Sequence, residues 1–114
     1  MSAAPYLHDA LEHFRNAIAN AGLNPPDTIE ADGALHRFAS NGKRSDLAGW
    51  YVLHGDGVPA GAFGCWRSGL AENWRADIGR TLTNAEREQH RQRMESMRRQ
   101  REQAERERHA EAAR

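Results

Sequence analysis

Three residues with metal or nucleophile chemistry, His36, His54 and Cys65, fall on segments that read as strands. Together they could supply three ligands to a zinc ion. No Cys-x-x-Cys or His-x-x-x-His pair stands in that region, so ordinary strand residues are the simpler reading and no metal is expected. A Cys–His nucleophilic pair would draw on the same side chains. Nothing is placed to orient a base, and no nucleophile-elbow pattern surrounds Cys65. Asp32, Asp46 and Asp56 could gather into a carboxylate cluster, but each stands beside a turn, where Asp is favoured for local hydrogen bonding alone. The glycine-rich runs Gly55-Asp-Gly57 and Gly61-Ala-Phe-Gly64 precede no helix and carry no Lys-Ser/Thr. They read as hairpin glycines and not as a phosphate cradle. These residues point away from an enzyme, with no catalytic residue and no cofactor.

The aromatic and basic residues make a different pattern. Trp50, Tyr51, Phe63, Trp66 and Trp74 crowd into one stretch, interleaved with Arg37, Lys43, Arg44, Arg67, Arg75 and Arg80. On a sheet face such a mixture could stack exposed bases and neutralise phosphates. Alternation along a strand lets only about half of the rings share a face. The competing reading makes the tryptophans the core of a small domain. Trp66 and Trp74, each followed directly by Arg, are the ones expected nearest the surface.

The elements that must position these side chains are legible in outline. Residues 7–21 read as an amphipathic helix, with Leu7, Leu11, Phe14 and Ile18 at four-and-three spacing and Ala10, Ala17 and Ala21 widening the stripe. Gly22 ends it and Pro25-Pro26 prevents its resumption. Residues 28–75 carry strand and turn signals. Thr28–Ala31 and Leu35–Ala39 flank Asp32-Gly33 and predict a tight hairpin. Asn41–Asp46 reads as a polar loop. Gly49–His54 has the composition of a central strand, Ala60–Trp66 that of its partner, and Leu70–Trp74 that of a last short strand. Gly61 and Gly64 opposite Trp50 or Tyr51 would let a ring lie flat on the neighbouring backbone. With a single N-terminal helix to cover it, the sheet is expected to leave its other face partly open.

Thr83 and Glu86 make a capping-box signature, followed by strong helix formers to Arg114 with no Gly or Pro stop. Glu/Arg pairs at helical spacing support this segment, which lacks a sustained apolar heptad. It reads as a connector towards a further domain, or as a fraying tail. The predicted fold is therefore α+β: an N-terminal amphipathic helix packed on a small antiparallel sheet within residues 1–82, then a long charged helix or linker over 83–114. From residue 84 on, Met94 and Met97 are the only large apolar residues. The core must come from the first part, and it is thin.

The chain carries 16 basic and 16 acidic residues and no net charge. Bulk electrostatics therefore demand neither a nucleic-acid nor a membrane partner. The balance is uneven, since residues 84–114 hold 9 Arg against 7 Glu. One cysteine excludes an internal disulfide and fits a reducing compartment. No leader pattern and no apolar run of spanning length is visible, which predicts a cytoplasmic protein with no membrane partner.

The run Ala31-Asp-Gly-Ala-Leu-His-Arg-Phe38, then Gly49-Trp-Tyr-Val-Leu-His54, then Gly57-Val-Pro-Ala-Gly-Ala-Phe-Gly-Cys-Trp66 and Trp74 resembles the N-terminal module of primase–helicase proteins of phages, plasmids and integrated elements. The resemblance spans roughly residues 7–83. It implies a module that stands before a Toprim-type primase region and contacts template DNA, with His36, Arg37, Trp50, Tyr51, Arg67 and Trp74 as the DNA-facing set, and Arg75, beside Trp74, is expected to join them. The chain itself has no Toprim acidic constellation, no Gly-Lys-Ser/Thr nucleotide loop and no zinc-binding cysteine pairs. The leading expectation is thus a DNA-binding accessory module of replication, favouring single strands and accompanied by a primase or helicase partner. The alternative is a protein–protein interaction module of a replication assembly, with the charged helix as spacer.

Overall fold

The computed structural model describes residues 7–112. Helix α1, Leu7–Asn20, buries Ala10, Phe14 and Ile18 completely, as its apolar spacing predicts. The side chain of Leu7, assigned to the same stripe, lies outside the described residues. The helix closes on Gly22, whose φ of 90° carries the chain away while its amide donates back to the Ala19 carbonyl at 3.0 Å.

Four strands follow in a simple antiparallel meander: β1 His36–Phe38, β2 Gly49–His54, β3 Ala60–Cys65 and β4 Leu70–Arg75. The central pair sets the register of everything else, with Trp50 opposite Gly64, Tyr51 opposite Phe63 and Leu53 opposite Gly61. Every residue of β3 is buried, and its small residues are the reason it can be. A Cβ on Gly64 would stand 2.8 Å from the Trp50 ring, and one on Gly61 would stand 3.1 Å from Leu53 and Phe14. The expectation of a Trp50 or Tyr51 ring against these glycines is met at Gly64, which Trp50 covers, and not at Gly61, which stands opposite Leu53.

The hairpin expected across Asp32-Gly33 does not form. Only His36–Phe38 becomes strand, and it pairs with β2. Asp32 instead makes an isolated bridge with His54, and the Gly33 amide donates to the Leu53 carbonyl at 2.9 Å. The turn chemistry is present, since Gly33 has a φ of 75° and an Asp32 carboxylate oxygen accepts from the Ala34 amide at 3.0 Å. Residues 28–31 gain more by crossing to the end of β2, where the Glu30 amide donates to the Tyr51 hydroxyl at 2.9 Å. A tertiary hydrogen bond has won over a local pairing preference.

Helix α2, Asn84–Ala112, starts at the predicted capping box. Thr83 Oγ1 accepts from the Glu86 amide at 3.1 Å, and Glu86 accepts in return from the Thr83 amide at 2.9 Å. Two 2.8 Å bonds from Arg80, together with that amide, hold the Glu86 carboxyl at a pKa of about 2. Residues 113 and 114, to which the sequence extends the helix, lie outside the described residues.

Helix α2 lies along the sheet face opposite α1, so the face expected to stay partly open is covered and α2 is no free connector. Met97 is buried against Trp50, Val52 and Ala62. Arg93, only 7% exposed, donates to the Val58 carbonyl at 2.7 Å and to the Asp56 carbonyl, which clamps the helix to the β2–β3 hairpin. Gln100 accepts from the Leu35 amide and donates to the Gly33 carbonyl, both at 2.9 Å. The sheet is thus sandwiched between two helices of very different character. None of the helices is long and apolar enough to cross a membrane.

Candidate nucleic-acid interface

The sheet distributes the sequence-predicted set over four places. Tyr51, His36 and Trp74 face α1. Tyr51 is 2% exposed and packs edge-on against Phe14, and burial raises its phenol pKa. His36 stacks on Tyr51 at 5.2 Å and holds both Asp32 carboxylate oxygens at 3.0 Å from Nε2. Trp74 sits edge-on to Phe14 at 5.3 Å. Trp50 occupies the opposite face, also 2% exposed, beneath α2. Arg75 lies at the far end of β4 beside the Ala76 carbonyl. Only Arg37 and Arg67 come together.

Trp50 and Tyr51 therefore do not form one stacking platform. They are neighbours in sequence, so the pleat sends them to opposite faces. Each face then carries a helix. The notion of an open aromatic sheet face has to be given up with them, and Trp66 and Trp74 are both half-buried.

The metal and nucleophile candidates also separate. His36 faces α1. His54 is at the hairpin end of β2, and Cys65 pairs with Gly49 at the other end of that strand. Among the described residues no group of three possible ligands forms. Burial pushes the Cys65 thiol pKa up, but the Ser40 hydroxyl at 3.2 Å and the Ser68 and Arg67 amides outweigh it and leave it lowered. The three aspartates are apart as well: Asp32 serves His36, Asp46 pairs with Arg67, and Asp56 meets Arg93 at 3.3 Å.

What the fold does assemble is a basic end. The loop between β1 and β2 and the turn between β3 and β4 leave the sheet at the same end, where Phe38, Gly49 and Cys65 stand in register. The Trp66 amide donates to the Ala48 carbonyl at 2.9 Å, and Arg67 reaches Asp46, so the two loops are tied. Arg37 donates twice to the Leu47 carbonyl, at 3.1 and 2.9 Å. Lys43 and Arg44 project from the loop, exposed and without an acidic partner among the described residues. The Lys43 amide, bonded to Asn41 Oδ1 at 2.9 Å, fixes the turn that presents them.

The far part of α2 adds to this end. The Arg108 guanidinium lies 5.6 Å from the Trp66 ring centre, and Arg37 lies 5.4 Å from the same ring. Farther in, Arg101 lies over Trp50 at 6.0 Å. Each contact contributes about 0.5–1 kcal/mol where solvent reaches it. Arg37, Arg67 and Arg108 thus gather at this end, with Lys43 and Arg44 on the adjoining loop, opposed by Asp46 and by Glu111, which pairs with Arg37 at 3.4 Å. Leu47, the exposed large apolar residue, sits among them.

Arg101 and Arg108 were absent from the sequence-derived set. A signal existed: Met94, Met97, Arg101, Ala104 and Arg108 follow three-and-four spacing, a stripe in which Met97 is buried, the others are half-buried and two places hold arginine. Long stems let Arg cover apolar surface while the charged head stays at the edge.

Comparison of the chain with protein-family models, with curated proteins and with solved structures gives no match.

Proposed function

We propose that this chain is a non-catalytic nucleic-acid-binding module that grips the phosphate backbone with the basic end of its sheet. The observation that carries this reading is that Arg37 of β1, Arg108 of α2 and the loop residues Lys43, Arg44 and Arg67 all lie at one end of the sheet, around two loops that are tied to each other. Cations on short, hydrogen-bonded loops suit phosphates, because backbone contacts fix position without demanding a particular base. In this reading the phosphates contact the loop ends, while the sheet faces serve packing. The motif resemblance to primase–helicase N-terminal modules agrees with such a role in replication of mobile elements, beside a primase or helicase partner.

Titration of a labelled oligonucleotide, followed by fluorescence anisotropy over a range of salt, tests the reading. Binding is expected at low salt and should weaken steeply as salt rises, because each neutralised phosphate releases a counterion. Lys43→Ala/Arg44→Ala should lower the salt slope by about two, whereas Arg75→Ala, at the opposite end, should leave it unchanged. Absence of binding at about 50 mM salt would overturn the proposal.

A further inference from the structure

A cleft opens beside the basic end, between α2 and the β3–β4 turn. Its volume is about 270 Å³, and Trp50, Trp66, Gly69, Ala71, Arg101 and Glu105 line it. It adjoins a second trough along β4 that shares Trp50 and Arg101. The turn that forms its mouth is also the one that carries Arg67 to the basic end. A chain gripped there by its phosphates would have this opening directly within reach.

The polar groups in the cleft are conspicuously under-used. Arg101 makes no ion pair among the described residues; its guanidinium rests over Trp50. Glu105 follows four residues later on the same side of α2, a spacing at which Arg and Glu commonly pair. Here the two do not pair, and the Glu105 carboxylate meets only His109, at 3.9 Å. The indole Nε1 of Trp66 is buried with no hydrogen-bond partner, an uncompensated donor that ordinarily calls for an explanation. The walls are aromatic edges, the floor is glycine and alanine, and at the rim stand one flat cation and a carboxylate whose one ion-pair partner among the described residues is His109.

That combination fits a flat, heteroaromatic ligand whose edge carries both an acceptor and a donor. Arg101 can give hydrogen bonds to ring carbonyls or ring nitrogens, and its plane can stack on a ring. Glu105 can accept from a ring N–H or an exocyclic amine. An unpaired nucleobase has these features, and proteins that read single strands recognise splayed bases in this way. We propose that the cleft holds one unpaired base of a single strand whose phosphates lie on the basic end. A base paired in a duplex cannot enter, so the cleft sets a preference for single strands over duplex. The inference rests on the phosphate-binding reading given above.

The test compares an oligothymidylate with an abasic oligonucleotide of the same length, which has the same phosphates and no bases. The full chain should bind the oligothymidylate about tenfold more tightly. Ala71→Phe fills the cleft from an exposed strand position where an aromatic residue is well tolerated. It should remove that difference and leave affinity for the abasic strand unchanged. Arg101→Gln should also shrink the difference, which guards against a local distortion by the larger ring. Equal affinity of the unaltered chain for the two oligonucleotides overturns the base pocket and leaves the phosphate reading standing. A base-dependent difference that survives both substitutions overturns it too. Failure to bind either strand at low salt defeats both proposals together.

Discussion

The two faces of this sheet are covered by opposite means. Towards α1, Phe14 and Ile18 close on Tyr51, Leu53, Phe63 and Phe38, an aromatic and aliphatic core with almost no polar component. Towards α2, a single buried methionine is flanked by Arg93, Gln100, Arg101 and Arg108, and the contacts are clamps, amide bonds and guanidinium–ring stacks. The first face is held by area removed from water, which is indifferent to direction. The second depends on aligned groups, each of small net worth but expensive to leave unmet. The difference places the larger apolar cluster on the α1 side and the charged and amide contacts on the α2 side, next to the basic end.

Substitutions can break or sharpen this contrast. Phe14→Ala should have the largest effect, about 3–5 kcal/mol, because it empties a site that three aromatic rings touch. Urea unfolding followed by Trp emission would measure it. Arg93→Ala should cost about 1–3 kcal/mol by stripping donors from the buried Val58 carbonyl and the partly buried Asp56 carbonyl. If the α2 face were held by apolar area alone, Arg93→Met would fully restore stability; partial recovery is expected. Thr83→Ala should cost about 1 kcal/mol, the usual worth of an N-cap, read out as lost helical circular dichroism at high temperature.

The smallest effect is a pH dependence on the α2 face. Burial and the neighbouring Arg93 guanidinium lower the pKa of His54, with the Asp56 and Asp32 carboxylates acting weakly against them. The unfolded chain therefore takes up this proton more readily than the folded one. The stability contributed is complete above the unfolded value of about 6.5 and is lost as pH falls through and below it. Unfolding midpoints should drop between about pH 6.5 and 5, and His54→Phe should flatten that slope. His90, also lowered by burial and by Arg75 and Arg93, would contribute a residual slope of the same sign.

The core side was largely legible in the sequence. The apolar spacing of α1, the composition of β2 and β3, the glycines opposite large side chains and the Thr83–Glu86 cap all encode their outcome locally. The α2 side was not. Its docking stripe replaces apolar residues with arginine, and hydropathy counts the charged head while the buried stem does the packing. The path of residues 28–34 was hidden for a related reason: a Tyr51 hydroxyl and a Leu53 carbonyl, both distant in sequence, outbid an Asp-Gly turn. At the basic end, Arg37 within β1 and Arg67 just past β3 could be placed beforehand from the strand pattern. Trp50 was misplaced because an open face was assumed where α2 in fact lies, and Tyr51 because the pleat turns it under α1.

The contacts that seat α2 also join residues far apart along the chain. Arg93 reaches back 35 positions to Val58, Gln100 reaches 65 to Leu35, and Arg37 meets Glu111 across 74. The meander, by contrast, is a series of neighbouring hairpins. Such local pairings close quickly, and distant ones wait on loop closure. During synthesis the sheet and α1 emerge well before the last turns of α2 leave the ribosome. Until then Trp50, Val52 and Ala62, which α2 finally buries, stand open to solvent on that face.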